Sequence, residues 1–413
     1  MIKSLIKGNR KLISNIFSLG SIDAVTLILP FIYLPLVVQQ LGIEKYSTVV
    51  LHQAIYLIVS VIIHFGFNIY GVAEFHKING DKEKQKDLYW VLFFSRVAIF
   101  TCTTICSMML AYFLFDTSGF FLVCLGIIYN LGDIFFLRWY CQASGKLKFL
   151  ALLIAVQKIV QLILVLIVLA KGVTEQLYLG ALIVPYLIFN LMFFWYFAQR
   201  IGIFIPLRLF QKMIQTFRNA GQYLSSRLVA VLVDKTPIFM LELFGINGAA
   251  GVYDLVMKIV GACQTPFNVV CQAYYSLSFT AKSNVALFRI ISLCFIAFFI
   301  LYFALTSNPS ILDWYFGDSY ASAVPLLNIL LLSIGINVIS HNIGISGLIP
   351  SGLGGWFNIS VYLSAVAYFS AIFYVWFIGA VTTLIIAKVT LFYLAVLMVL
   401  RILIFIMLSR RVI

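Results

Sequence analysis

Twelve ionisable residues lie within or at the edges of long apolar segments: seven cations, Arg96, Lys158, Arg227, Lys235, Lys258, Lys388 and Arg401, and five acids, Asp23, Asp133, Asp234, Glu242 and Asp254. A charge at the centre of a membrane helix costs about 2.5 to 3.5 kcal/mol on insertion scales, so such groups must pair, reach the interface or face water. Asp23, Asp133 and Arg401 stand near enough to segment ends to snorkel. The others are deeper, and three kinds of chemistry are open to them: ion pairing, capture of a charged ligand, or uptake of a coupling ion.

At 100° per residue, Arg227 and Asp234 stand about 20° apart on a helix, as do Lys235 and Glu242, and all four share an arc of about 100°. One face of that helix is therefore polar, as a cavity lining would be. Asp254 and Lys258 have the one-turn spacing at which opposite charges meet. That spacing serves a pair that only neutralises itself as well as one that works on a ligand. Lys158, Lys388 and Arg96 have no acid within a turn, so they meet acids from other helices or offer charge to an anion, a task suited to a guanidinium. The candidate contacts to an anionic substrate are thus Arg96, Lys158, Arg227, Lys235, Lys258 and Lys388. Asp234, Glu242 and Asp254 would tune them or take up a coupling ion. His64, like His52 and His341, titrates close enough to neutrality to carry protons, although a hydrogen-bonded packing role is the plainer one.

Other chemistries find no support. There is no GxxxxGK[ST] phosphate loop and no HExxH. The seven cysteines, mostly inside apolar runs, show no metal-ligand spacing and read as small packing residues. Gly352, Gly354 and Gly355 follow a proline and read as a tight turn.

The elements that hold these residues are membrane helices. Hydrophobic residues make up 63% of the chain and charged ones 10%, well below the roughly 25% of soluble domains. Apolar stretches near the ~20 residues that span a bilayer occur at 22–41, 47–70, 88–113, 119–137, 149–170, 177–198, 222–243, 249–275, 290–306, 323–346, 356–376 and 382–407. The longest connection, 199–221, is too short for a soluble domain. Of the 28 Lys and Arg residues, 19 fall on one side of the twelve spans and only Lys45 and Lys171 on the other. The positive-inside rule then puts both termini in the cytoplasm. Topology accounts for the net charge of +14 without nucleic acid. The first apolar run lacks a small-residue cleavage site and reads as a retained span. All six Trp residues (90, 139, 195, 314, 356 and 376) fall near span ends, as an interfacial belt would place them.

A basic stretch followed by small polar residues precedes both the first and the seventh span. This weak echo suggests two six-helix lobes, 1–205 and 206–413. Prolines inside spans, at 30, 35, 185, 237, 266 and 325, mark bends. The fold class is an all-α polytopic membrane protein of about twelve transmembrane helices.

Several runs carry a resemblance. LILPFIYLPLVVQQLGIEKY (Leu27 to Tyr46) with HFGFNIYGVAEFHK (His64 to Lys77), FFLRWYCQASGKLKFL (Phe135 to Leu150), and the long stretch Arg218 to Val260 are similar to Wzx-type O-antigen flippases. These form part of the polysaccharide-transport branch of the multidrug/oligosaccharidyl-lipid/polysaccharide (MOP) superfamily. His64 departs from the pattern, since the family often has an acid before the Phe-Gly-Phe run. The resemblance implies two six-helix lobes around a central cavity and transport of an undecaprenyl-pyrophosphate-linked O-antigen unit from the cytoplasmic to the periplasmic leaflet of a bacterial inner membrane. It implies no cofactor beyond a coupling ion, H+ or Na+, no catalysis, and a polysaccharide polymerase and ligase as partners. Two alternatives stand beside it. A multidrug exporter of the superfamily would favour an acidic interior, and a membrane glycosyltransferase or ligase would need a larger extramembrane loop than 307–322.

Overall fold

The computed structural model describes residues 29–78, 80–114, 117–203, 205–278 and 284–409. Asp23, the basic stretch before the first span, Lys282, Arg410 and Arg411 lie outside them. Every element among the described residues is helical. In chain order these are α1 (Leu29–Leu41), α2 (Ile43–His64), α3 (Phe67–Lys77), α4 (Lys82–Leu114), α5 (Thr117–Phe135), α6 (Arg138–Ala143), α7 (Leu147–Lys171) and α8 (Glu175–Ile201). They continue with α9 (Leu209–Phe244), α10 (Ala249–Ser278), α11 (Asn284–Thr306), α12 (Pro309–Phe316), α13 (Tyr320–His341), a π-helical turn (Asn342–Leu348), α14 (Gly354–Phe377) and α15 (Thr383–Ser409).

Each of the twelve expected spans overlaps a helix. Nine helical segments among the described residues are long and apolar enough to cross a membrane. The seventh and eighth spans, α9 and α10, are the long helices that carry the charges of interest, and the first is described only from Leu29. Large apolar side chains stand exposed along these helices, including Leu293, Phe303 and Phe377. Such continuous apolar surface belongs against lipid.

Two spans expected to be continuous are broken. The second bends at Phe65 and Gly66, whose φ angles of 43° and 76° lie in the left-handed region. A Cβ on Gly66 would sit 2.7 Å from Tyr223 Cβ and 2.8 Å from the Ala220 carbonyl oxygen, so the bend and the close approach of α9 both require glycine. The fourth breaks at Phe136 and Leu137, between α5 and α6. Two expected loops are partly helical. Residues 209–221 extend α9, with Leu209, Phe210, Met213, Ile214 and Phe217 at helical spacing. Residues 309–316 form α12, with Pro309 in its first turn, where no backbone donor is lost.

The chain forms two compact units, one from residues 1–50 with 233–413 and the other from 51–232. They differ from a division at 205/206 in two segments. α1 and the start of α2 group with the later helices, where the Gly251 amide donates to Ser47 Oγ at 2.6 Å. The first part of α9 groups with the earlier ones. In the first unit α13 is the hub, packing on α10, α11 and α15 and burying Leu326, Leu327, Leu330 and Ile334. In the second, α5 packs on α4 and α8, α7 on α8, and α3 on α6. Its core is aromatic, with Phe93 stacked on Phe194 at 4.6 Å. Trp90 and Trp139 belong to this core and not to an interfacial belt. Both are buried, and the Trp90 indole donates to the Gly202 carbonyl at 3.0 Å. Trp195, Trp314, Trp356 and Trp376 are exposed as expected.

Gly66→Val is expected to lower stability by about 2 to 4 kcal/mol, from left-handed strain and overpacking together. Thermal unfolding of the purified protein in detergent would read this, and an unchanged midpoint would contradict the geometry.

Candidate functional site

In the 51–232 unit, the two helix breaks and the buried charges occupy one place. Arg96, on α4, is 1% exposed. Its guanidinium donates to the Phe136 carbonyl at 2.7 Å and to Asn68 Oδ1 at 3.0 Å. Phe136 is the unwound residue between α5 and α6, and Asn68 opens α3 just past the other break. A cation at the carbonyl end of α5 satisfies an acceptor that lost its helical donor and complements the helix dipole. Arg96 is thus committed to the fold.

Asp133 does not snorkel, because α5 ends two residues later at an internal break and not at the membrane surface. Its carboxylate is buried. Tyr186 on α8 donates to Oδ1 at 2.5 Å, and His64 Nε2, the last residue of α2, stands 3.6 Å from the same oxygen. The other oxygen, Oδ2, is buried without a partner among the described residues. Tyr129 stacks on Tyr186 at 4.8 Å between ring centroids. This arrangement, a half-satisfied carboxylate, an imidazole and a phenol beside a helix break, can exchange a proton or small cation. Discontinuous membrane helices are a recurrent setting for ion sites. Lys158 on α7 is half-buried between the buried Gln157 and Gln161 turns and has no ion-pair partner among the described residues.

In the other unit, Asp254 and Lys258 meet as their spacing predicts, with Lys258 Nζ 2.5 Å from Asp254 Oδ2. Tyr46 on α2 closes the triangle, donating to the same carboxylate oxygen at 2.6 Å and accepting from Lys258 at 2.6 Å. Lys235 pairs with its neighbour Asp234 at 2.8 Å. Arg227 and Asp234 are both exposed on α9, while Lys235 and Glu242 are half-buried. Lys388 is exposed on α15. Arg401, like Asp133, was expected to snorkel and does not. It is buried, donates to the Ser340 carbonyl and hydroxyl at 3.0 and 3.1 Å, and lies over the Phe357 ring at 4.5 Å. The π-helical turn makes room for it, since a Cβ on Gly344 would fall 2.9 Å from the guanidinium. No group of three or more His, Cys, Asp or Glu is placed to hold a metal ion among the described residues.

Tyr46, Asn68, Tyr186 and Ser340 are the residues that sequence reasoning passed over. They act across separations of 208, 28, 53 and 61 residues, and a lone tyrosine or serine in an apolar run carries no local signal of such a partner.

A helical chain with many apolar spans and charges within them in both units is the fold that the comparisons with solved structures return. The fold matches a MOP-superfamily transporter from Pyrococcus furiosus at 14% identity, over 96% of this chain and 95% of that one, with a TM-score of 0.64. It matches an inward-facing multidrug-resistance MATE transporter of the same superfamily at 14% identity, over 96% and 98%, with a TM-score of 0.66. A eukaryotic MATE transporter, AtDTX14, is similar at 13% identity over 98% of both chains, with a TM-score of 0.62. No curated protein sequence matches. Residues 12–275 match the family described as polysaccharide biosynthesis protein. The chain belongs to that family.

The two kinds of interior cation predict opposite responses to neutral replacement. Arg96→Met should cost about 2 to 4 kcal/mol, because two charge-assisted hydrogen bonds vanish and their acceptors stay buried. Lys158→Met should leave thermal stability equal or higher, since a half-buried charge with no ion-pair partner among the described residues is removed. Equal losses in both variants would erase the distinction.

Proposed function

We propose that this protein is a flippase for a lipid-linked oligosaccharide, moving an undecaprenyl-pyrophosphate-linked glycan from the cytoplasmic to the periplasmic leaflet of a bacterial inner membrane. The observation that carries the reading is an asymmetry of partners. The described aspartates within the spans are already engaged: Asp133 by Tyr186 and His64, Asp234 by Lys235, and Asp254 by Lys258 and Tyr46. Lys158, Arg227 and Lys388 have no ion-pair partner among the described residues, and the one unengaged acid, Glu242, stands two residues from the end of α9, within reach of headgroups. The spans thus carry cations without a paired acid, and a pyrophosphate crossing hydrocarbon needs such cations. A multidrug exporter of cationic compounds would call for the reverse. The 19-to-2 division of Lys and Arg supports cytoplasmic termini, and membership of a polysaccharide biosynthesis family supports the glycan.

In proteoliposomes carrying the lipid-linked glycan, Arg227→Ala and Lys158→Ala should each slow translocation about tenfold or more, the value of one charge-assisted contact, at unchanged protein level. Unaltered rates in both would remove them from the mechanism, and drug efflux without glycan movement would favour the exporter.

Asp133 with His64 is our choice for the coupling ion, a proton or Na+. Asp133→Asn keeps the shape and the hydrogen bond from Tyr186 but fixes the charge. It should abolish the acceleration produced by an imposed pH or Na+ gradient while leaving binding of the lipid intact. Acceleration equal to wild type would place coupling elsewhere.

A further inference from the structure

We infer that the crevice between α10 and α11 seats the polyisoprenoid chain of the transported lipid, with its pyrophosphate end at Lys258; this inference rests on the flippase reading above. α10 and α11 both pack on α13 and on the π-helical turn but scarcely touch each other. The gap left between them is a cavity of about 780 Å³, within the range of pockets that hold a ligand. Ala262, Cys263 and Pro266 line one wall and Leu293, Cys294 and Ala297 the other, with no hydroxyl, amide or charged side chain anywhere in the lining. A sugar or a pyrophosphate has nothing to bind there, and water gains too few polar partners to remain. Hydrocarbon is the ligand class that fits.

Length and polarity at one end choose among hydrocarbons. On α11 the lining runs from Ile290 to Leu305, about 22 Å at 1.5 Å per residue, and on α10 from Ile259 to Val270, about 16 Å. Half of a ~30 Å bilayer core is about 15 Å. A phospholipid chain stops near the midplane, whereas a long polyprenyl chain continues past it. On the α10 wall the lining begins one residue past a cation. Ile259, at the limit of the α10 wall, directly follows Lys258, and Ala262 stands about 40° from Lys258 on the same helix. Phe31 of α1, which also lines the crevice, packs against Tyr315 with ring centroids 5.2 Å apart. Lys258 uses two N–H donors on Asp254 and Tyr46, and an ammonium has three. The third donor can meet a phosphate oxygen at the head of a chain lying in the crevice.

The test uses the full-length protein in nanodiscs and undecaprenyl pyrophosphate with a diazirine near the far end of its chain. Irradiation should place adducts on lining residues of α10 and α11. Excess undecaprenyl pyrophosphate should compete at least fivefold better than the same amount of dioleoyl phosphatidylethanolamine. Ala262→Phe with Ala297→Phe should cut the adducts at least fivefold, and should slow transport of the undecaprenyl-linked glycan more than that of a geranyl-linked analogue. If the double variant does not fold, the bulk can be added afterwards, by a benzyl thiosulfonate on Cys263 and Cys294 of folded protein with the other five cysteines replaced; the same losses are expected. Adducts outside the crevice, equal competition by the phospholipid, or equal slowing of both chain lengths would overturn the inference. Those outcomes in a protein that still moves the glycan would sink the crevice alone, whereas crevice adducts in a protein that moves no glycan would sink the flippase reading and leave the seat standing.

Discussion

The structure depends on one constraint: hydrocarbon offers no hydrogen bonds, so each polar group inside the spans must be answered by the protein itself. The constraint falls hardest where helices are interrupted, because a break releases backbone carbonyls at depth. Arg96 answers it in the 51–232 unit by donating to the carbonyl freed at Phe136 and to the side chain of Asn68 beyond the neighbouring break. Arg401 does similar work in the other unit, holding Ser340 just before the π-helical turn. Neither cation has an ion-pair partner among the described residues; neutral oxygens accept from the terminal nitrogens of each guanidinium. Both arginines are thereby spent on holding the fold.

The same constraint explains what could be read from the sequence. Spans were legible because twenty apolar residues and the Lys and Arg asymmetry are local patterns. The Asp254–Lys258 pair was legible because both partners lie on one helical turn. The breaks were not, since Phe65–Gly66 and Phe136–Leu137 sit inside apolar runs with no proline to announce them. Asp133 and Arg401 were misplaced for a related reason. Distance from the end of an apolar run measures depth only if the helix is continuous and upright, and in both cases the surrounding helices enclose the charge. Helical extension of α9 to Leu209 was hidden by the basic residues 208–218, which read as a loop until the apolar positions among them are seen to repeat at helical spacing.

Small residues position the charged ones. Gly344 admits the Arg401 guanidinium, and Gly66 lets α9 approach the first break closely. Gly335 lies under the Phe298 ring, where a Cβ would come within 2.9 Å, and so brings α11 close to α13. In each case the missing methyl group sets how near two helices come. The space left between α10 and α11 follows from the same geometry, because both helices are drawn toward α13 and not toward each other.

The two breaks in the 51–232 unit also have a mechanical meaning. Beyond them, α3 and α6 pack together, with Trp139 filling the place where Gly71 has no side chain. Each short helix is joined to its longer partner by a break in the helix, and a single guanidinium reaches the backbone of one break and the side chain of Asn68 just past the other. α3 and α6 are thus coupled twice, through their own packing and through Arg96, which is hydrogen-bonded at one break and just past the other. That ties the backbone at His64 and the backbone near Asp133 to one shared degree of freedom.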